Sequence, residues 1–360
     1  QVLAERFPEM VETQPELLAH HYTEAGLKEQ AIPCWQRAGQ RAIQHSANLE
    51  AINHLTTGLE LLKILPDTPE RAQQELTLQL AQAAPLMATK GPAAPEVGTA
   101  YARALKLCRQ VGETPQLFPV LAGLRIFYTT RGELQTAREL GEQLLRLAQS
   151  VQDPALLVEA HIALGAPLYM LGELASAREH MEQGIALCDP RQQRASMHRY
   201  GADLGVIALA SLARVLWVLG YPTQARERSR EALTRAQEMN LPFSTALAWS
   251  LNTELHQFLH EAQAVQQRAE ALRVLCHEQG LSGFFEWAII PHGWALAMQG
   301  QEEEGIQQMQ QGLATIRATG MEARRTYELA LLAEAQGKTG QVEEGLTALA
   351  EALAVVDKTG

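Results

Sequence analysis

The chain has 360 residues, a formal net charge of −11, 46% hydrophobic residues, 20% charged residues and 5% aromatics. Such acidity argues against a general phosphate-tracking face, the abundant core formers argue against wholesale disorder, and no apolar run reaches membrane-spanning length or reads as a signal peptide. Four scattered cysteines, Cys34, Cys108, Cys188 and Cys276, lack CxxC or Cys/His ligand spacing, which predicts reduced, packed thiols in a cytoplasmic protein with no disulfide and no metal.

Alanine and leucine dominate, and alternating runs of Val, Ile, Thr and Tyr are nearly absent, so the expected elements are helices throughout. In chain order they fall into units near 14–65, 70–110, 115–150, 154–188, 197–240, 242–280, 284–318 and 322–357, less regular over 1–114 and clear over 115–357. The second is the weakest, since LATKGPAAPEVGTAYARALKLC offers one helix and a poor partner for it. The units are marked by a Gly followed five residues later by a small residue: Gly26/Ala31, Gly132/Ala137, Gly172/Ala177, Gly220/Ala225, Gly300/Gly305 and Gly340/Gly345. Ala264 marks a further copy, with Leu259 where the Gly would be. From Ala137 onward the small residue advances by 40, 48, 39, 41 and 40 residues, and a period of that size predicts a stacked array.

The unit at 154–188 shows the design. Asp153-Pro154 is a helix start, and ALLVEAHIALGAPLYML is a mainly apolar helix. Gly172 ends it, because the tight turn needs a left-handed residue. ELASAREHMEQGIALC is an amphipathic second helix. The small residue after the turn lets the pair approach closely, and neither helix can bury its apolar face without a stacked neighbour. The 48-residue interval holds an insertion around DPRQQRASMHRYGADLG, read as a longer connection exposing Arg191, Arg194, His198 and Arg199.

LGAPLYMLGELASA, with Gly165 and Ala177 in two small positions, and HGWALAMQGQEEEG, with Gly293 and Gly305, resemble the tetratricopeptide repeat, although these units run near forty residues rather than thirty-four. PELLAHHYTEAGLKEQAIPCWQRAGQRA followed by EAINHLTTGLELL is similar to the region after the ATPase module in large bacterial regulators, including proteins linked to class III nucleotide cyclases. The resemblance implies an all-α fold, a right-handed superhelix of about eight helical hairpins in one array over 1–360, acting as a sensor or scaffold. No GxxxxGK[ST] loop occurs, so no ATPase is expected in these residues. The chain starts at Gln1 and AVVDKTG brings no capping helix, so a segment of something longer is expected.

In that repeat family the first helices line the concave face. Counting three, six, ten and thirteen back from each turn places Tyr169, Glu159, Trp217, Arg214, His256, Trp249, Trp294, Trp287 and Tyr327 on it. Four of the five tryptophans fall there, Trp35 being the exception, and aromatics beside a few polar groups describe a binding groove; the plain alternative is that they pack between helices. Pro167 and Pro291 lie inside first helices and would free the carbonyls of Ala163 and Trp287. His256 and His260 are four apart but lack a third ligand. His20, His21 and Glu24 read as packing and capping. Arg324, Arg325 and Glu328 could clamp an anion, but a solvated face with intrahelical ion pairs is the better reading.

No GxSxG, HExxH or post-strand GxGxxG occurs, so no catalytic residue, cofactor or metal is expected. The leading expectation is a non-catalytic scaffold holding a peptide, a partner protein or a small molecule in its groove, with neither membrane nor nucleic acid as partner. The alternative is a stand-alone small-molecule binder or enzyme with an aromatic pocket between residues 159 and 294, in which Glu159, Tyr169, Arg214 and His256 could supply acid/base groups.

Overall fold

The computed structural model describes residues 14–112, 115–188 and 203–359; the insertion with Arg191, Arg194, His198 and Arg199 lies outside them. Among the described residues there are seventeen α-helices and no strand. They are α1 (Pro15–Glu24), α2 (Lys28–Gln44), α3 (Asn48–Lys63), α4 (Pro69–Lys90), α5 (Pro95–Val111), α6 (Leu117–Thr130), α7 (Leu134–Val151), α8 (Pro154–Met170), α9 (Leu174–Leu187), α10 (Leu204–Val218), α11 (Pro222–Met239), α12 (Pro242–Phe258), α13 (Ala262–Gln279), α14 (Ser282–Met298), α15 (Glu302–Ala318), α16 (Arg325–Lys338) and α17 (Val342–Thr359). None is long and apolar enough to cross a membrane. The architecture is an all-α solenoid whose contacts group into two compact units, Gln1–Phe127 and Tyr128–Gly360.

In the first unit, α1 to α5 pack each on the next. Segment 14–65 holds three helices rather than two, because Ser46 takes a left-handed φ of 58° and breaks the run between α2 and α3. Residues 69–111 form two helices, broken at Gly91 with φ 87°. Ile32, Trp35, Leu55, Leu62 and Leu78 make the core. His20, itself exposed, meets Trp35 edge-on with ring centroids 5.3 Å apart, and the Trp35 Nε1–H donates to Thr23 Oγ1 at 3.1 Å, while His21 and Glu24 are exposed.

The second unit is built from helix pairs α8/α9, α10/α11, α12/α13, α14/α15 and α16/α17, preceded by α7. Asp153 caps α8, accepting from the Ala155 N–H at 2.8 Å. Asp203 caps α10 in the same way, accepting from Val206 at 2.9 Å, and its fully buried carboxylate is neutralised by Arg235 at 2.9 Å. Both α8 and α14 run on through Pro167 and Pro291.

The turn glycines Gly132, Gly172, Gly220, Gly300 and Gly340 all have φ between 75° and 92°. In α12/α13 the left-handed residue is His260, φ 54°, and not Leu259, which keeps a right-handed φ of −83°. Histidine is among the few side chains that tolerate that conformation. Five residues on stands Val265, fully buried, so the repeat mark is Val265 rather than Ala264. Corrected in this way, every step of the period except the 48-residue one is 40.

Candidate functional site

The first helices α8, α10, α12, α14 and α16 pack successively on one another, whereas the second helices pack on first helices, so the first helices make the inner wall of the second unit. The residue six places before each turn residue is Ala166, Arg214, Glu254, Trp294 and Glu334 in turn. These positions form a ladder. Arg214 Nη1 lies 3.3 Å from both Glu254 oxygens, and the Trp294 Nε1–H donates to Glu334 Oε2 at 2.8 Å.

A second set of bonds reaches further. Arg324, just before α16, donates to Glu254 Oε2 at 3.0 Å across two helix pairs and faces Glu328 Oε1 at 3.5 Å. Nearby, the Glu322 and Ala323 N–H groups both donate to the Thr130 carbonyl, at 2.9 and 3.2 Å. Thr130 is the last residue of α6, so its carbonyl has no helical partner, and the segment before α16 supplies one. Aromatic faces close the cluster. Arg214 lies 4.7 Å over the Tyr169 ring, and Arg324 lies 5.3 Å over Trp287 and 5.4 Å over Tyr327. The Tyr327 hydroxyl donates to Gln257 Oε1 at 3.2 Å.

The electrostatics follow from burial and pairing. Burial alone would raise the Glu254 carboxyl, but the guanidiniums of Arg214 and Arg324 outweigh it and hold the group below the usual carboxylate range. At Glu328 burial wins over Arg324, Glu254 adds repulsion, and the carboxyl is pushed up. Burial, with Glu254 close by, raises the hydroxyls of Tyr169 and Tyr327, the latter well above the ordinary tyrosine range. Arg214 Nε, Arg324 Nε and Glu328 Oε2 are buried without a hydrogen-bond partner in the chain.

A raised carboxyl destabilises the fold once it must ionise, so the Glu328 cost is absent below its unfolded pKa and grows as pH rises through the folded one. Glu328→Gln is therefore expected to raise the melting temperature at pH 7 by a few degrees and to change it little near pH 4. Thermal denaturation across pH checks this.

Of the residues singled out by spacing, Tyr169, Arg214, Trp287 and Tyr327 meet in this cluster. Glu159 is buried on α8, ten residues and about 15 Å along the helix from Tyr169. Trp217 packs against Leu212, Leu216 and Leu255. Trp249 packs with Leu272 and Phe284 between α12, α13 and α14. Trp294 is fully buried beside Glu334. His256 pairs with Glu261 at 2.5 Å, and His260 is the turn residue, 3.4 Å from Glu334. Trp249 and Trp287 thus share one cluster, while Trp217 and Trp294 sit apart from it, and the four do not form one aromatic chamber, because helices of 14–17 residues offer several inward-tilting positions and large rings fill those between neighbours.

Spacing alone missed Glu254 and Gln257, since counting from Leu259 shifts α12 by one residue; counting from His260 lands on both. The solvated-face expectation fails here: Arg324 and Glu328 turn inward, and Arg325, its side chain only 16% exposed, pairs outside its own helix, with Glu322 at 2.8 Å and with Glu351 of α17. Among the described residues no three His, Cys, Asp or Glu side chains gather as a metal site.

No protein-family model matches the chain. It is 24% identical over 353 residues to an uncharacterized protein of Rhizobium meliloti (strain 1021), a match covering 95% of this chain. The chain spans about a third of that relative's length (33%). Among solved structures it is similar to a Rap protein complexed with competence and sporulation factor, with TM-score 0.63 and 12% identity over 97% of this chain and 98% of that one. The Rap conjugation gene regulator of plasmid pLS20, in complex with the Phr* peptide, gives 0.62 and 12% over 91% and 95%. NprR in complex with its cognate peptide NprX gives 0.59 and 15% over 88% and 84%. At these identities the likeness is one of fold, a tetratricopeptide-like helical-repeat solenoid.

Proposed function

We propose that this chain is a non-catalytic binding scaffold that holds a peptide, or an extended segment of a partner protein, on the inner wall of the second unit. The observation that carries this reading is the convergence of Tyr169, Arg214, Glu254, Trp287, Arg324 and Tyr327 from five first helices, with buried polar atoms still lacking partners. Charged groups flanked by aromatic faces suit recognition of a peptide's polar backbone and side chains. The solved neighbours bound to competence and sporulation factor, Phr* and NprX support the same choice. The similarity of the opening stretches to the helical region of ATPase- and cyclase-linked regulators extends the proposal. There the scaffold would report occupancy to an attached effector, in the cytoplasm, as one repeat array.

A peptide library titrated against the chain, followed by tryptophan fluorescence and calorimetry, tests this. A saturable binder is expected, and Tyr169→Ala and Trp287→Leu should each weaken it about tenfold or more while helicity by circular dichroism is kept. Binding that neither substitution disturbs would remove the inner wall as the site.

A further inference from the structure

The outer face of α17 is unlike that of any second helix before it. Val342, Leu346, Leu349, Leu353 and Val356 recur at steps of 4, 3, 4 and 3, and they are 55%, 56%, 41%, 65% and 47% exposed. Each has a counterpart in the preceding pairs, found by counting forward from the left-handed turn residue. Nine places on stand Gly141, Met181, Ser229, Ala269 and Met309, all buried, where α17 has Leu349. Sixteen places on, Ala148, Ala236, Cys276 and Ile316 are buried, where α17 has Val356.

The thirteenth place is the most telling, because it meets the next pair. Leu145 of α7 packs against Leu164 and Leu168 of α8, and Ile185 of α9 against Leu204 and Ala208 of α10. Leu233 of α11 packs with Ala248 of α12, and Arg273 of α13 lies 5.4 Å over the Phe285 ring of α14. Leu353 holds that place in α17, and it is the most exposed of the five.

We infer that the α17 stripe is a docking edge for the first helix of a further pair of the same repeat, carried on the same polypeptide. The occupant is set by continuity with the preceding interfaces, since the thirteenth-place residues of α7, α9, α11 and α13 are each covered by the first helix of the pair that follows in sequence. A contiguous apolar stripe of this length on a surface helix marks a contact to be made, and a solenoid that stops needs a polar outer face, which α17 does not have. The occupant is an amphipathic helix with apolar residues at three- and four-residue steps. It would cover Leu346, Leu349 and Leu353 as α8 covers Leu145.

The test compares amide hydrogen exchange over 342–356 in the full-length gene product and in the 360-residue chain. At least tenfold slower exchange in the former is expected. Leu353→Asp should cancel that protection and lower the full-length melting temperature by several degrees, yet leave the 360-residue chain within about one degree of its parent. Equal exchange in the two proteins overturns the inference. So does a concentration-dependent dimer of the 360-residue chain that Leu353→Asp dissolves, since the face would then belong to a second copy.

Discussion

Glu254→Ala is expected to cost about 3–5 kcal/mol, because it strands two buried guanidiniums at once. Arg214 and Arg324 both pair with this carboxylate, and its side chain is only 5% exposed. The methyl group that remains offers neither charge nor acceptor, Arg214 Nε already lacks a hydrogen bond, and Arg324 is left to Glu328, 3.5 Å away, whose own carboxyl is pushed up. For a unit of this size the loss corresponds to a fall of roughly 10 °C in melting temperature. Urea or thermal unfolding measures it, with Arg178→Ala as the contrast. Arg178 pairs with Glu182 on the surface of α9 at 2.8 Å, and its removal should cost well under about 1 kcal/mol. The pH dependence gives an independent check. The Glu254 pKa is lowered in the fold, so its stabilisation is present above the unfolded carboxyl pKa and disappears as pH falls through the folded one. The gap between Glu254→Ala and the parent should therefore be widest near neutrality and close in acid. Replacing Arg214, Glu254, Arg324 and Glu328 together by leucine or methionine should recover much of the loss, since no unpaired charge of this network is left. A Glu254→Ala protein as stable as its parent would mean that the three groups do not form the network described.

The repeat, the helix pairs and the inner position of the first helices were legible in the sequence because each rests on local chemistry. A left-handed turn asks for glycine, a close crossing asks for a small residue, and both leave letters at fixed spacing. The site was only half legible, and two residues explain why. His260 does the work of a turn glycine without being one, so counting α12 from Leu259 points to His256 and Trp249 and passes over Glu254. Arg324 and Glu328, four apart with opposite charge, look like any surface ion pair. Their burial depends on Glu254, seventy residues earlier, and on the segment before α16 reaching Thr130. That is a tertiary fact with no local signature. The tryptophans show the converse error. Their spacing places them on inner-tilting positions, but spacing does not distinguish a ring facing the groove from one wedged against the next helix, as Trp249 and Trp294 are.

Gly305→Val is expected to be among the most damaging single substitutions in the second unit, at roughly 3 kcal/mol or more. A Cβ at Gly305 would stand 2.4 Å from the Gly293 carbonyl oxygen and 2.6 Å from the Ala297 backbone nitrogen. Neither atom can swing aside as a side-chain tip would. The α14/α15 crossing would have to open, and the change would carry Met309, one turn further along α15, away from Gly293. Gly345 holds the same place in α16/α17 and supplies the control. Its nearest obstacle is the Ala333 carbonyl oxygen at 3.1 Å, with everything else at 3.6 Å or beyond, so Gly345→Ala should cost far less than Gly305→Ala. Helix propensity works against the prediction, since alanine is favoured over glycine in a helix interior by up to about 1 kcal/mol. For Gly345→Ala the two effects should nearly cancel, whereas for Gly305→Ala the backbone clash should win and Gly305→Val should add two γ-methyl groups to it. Thermal unfolding of the three variants gives the order Gly345→Ala, Gly305→Ala, Gly305→Val from mildest to worst. If Gly305→Ala proved neutral or stabilising, the two helices would have to cross further apart than this geometry places them.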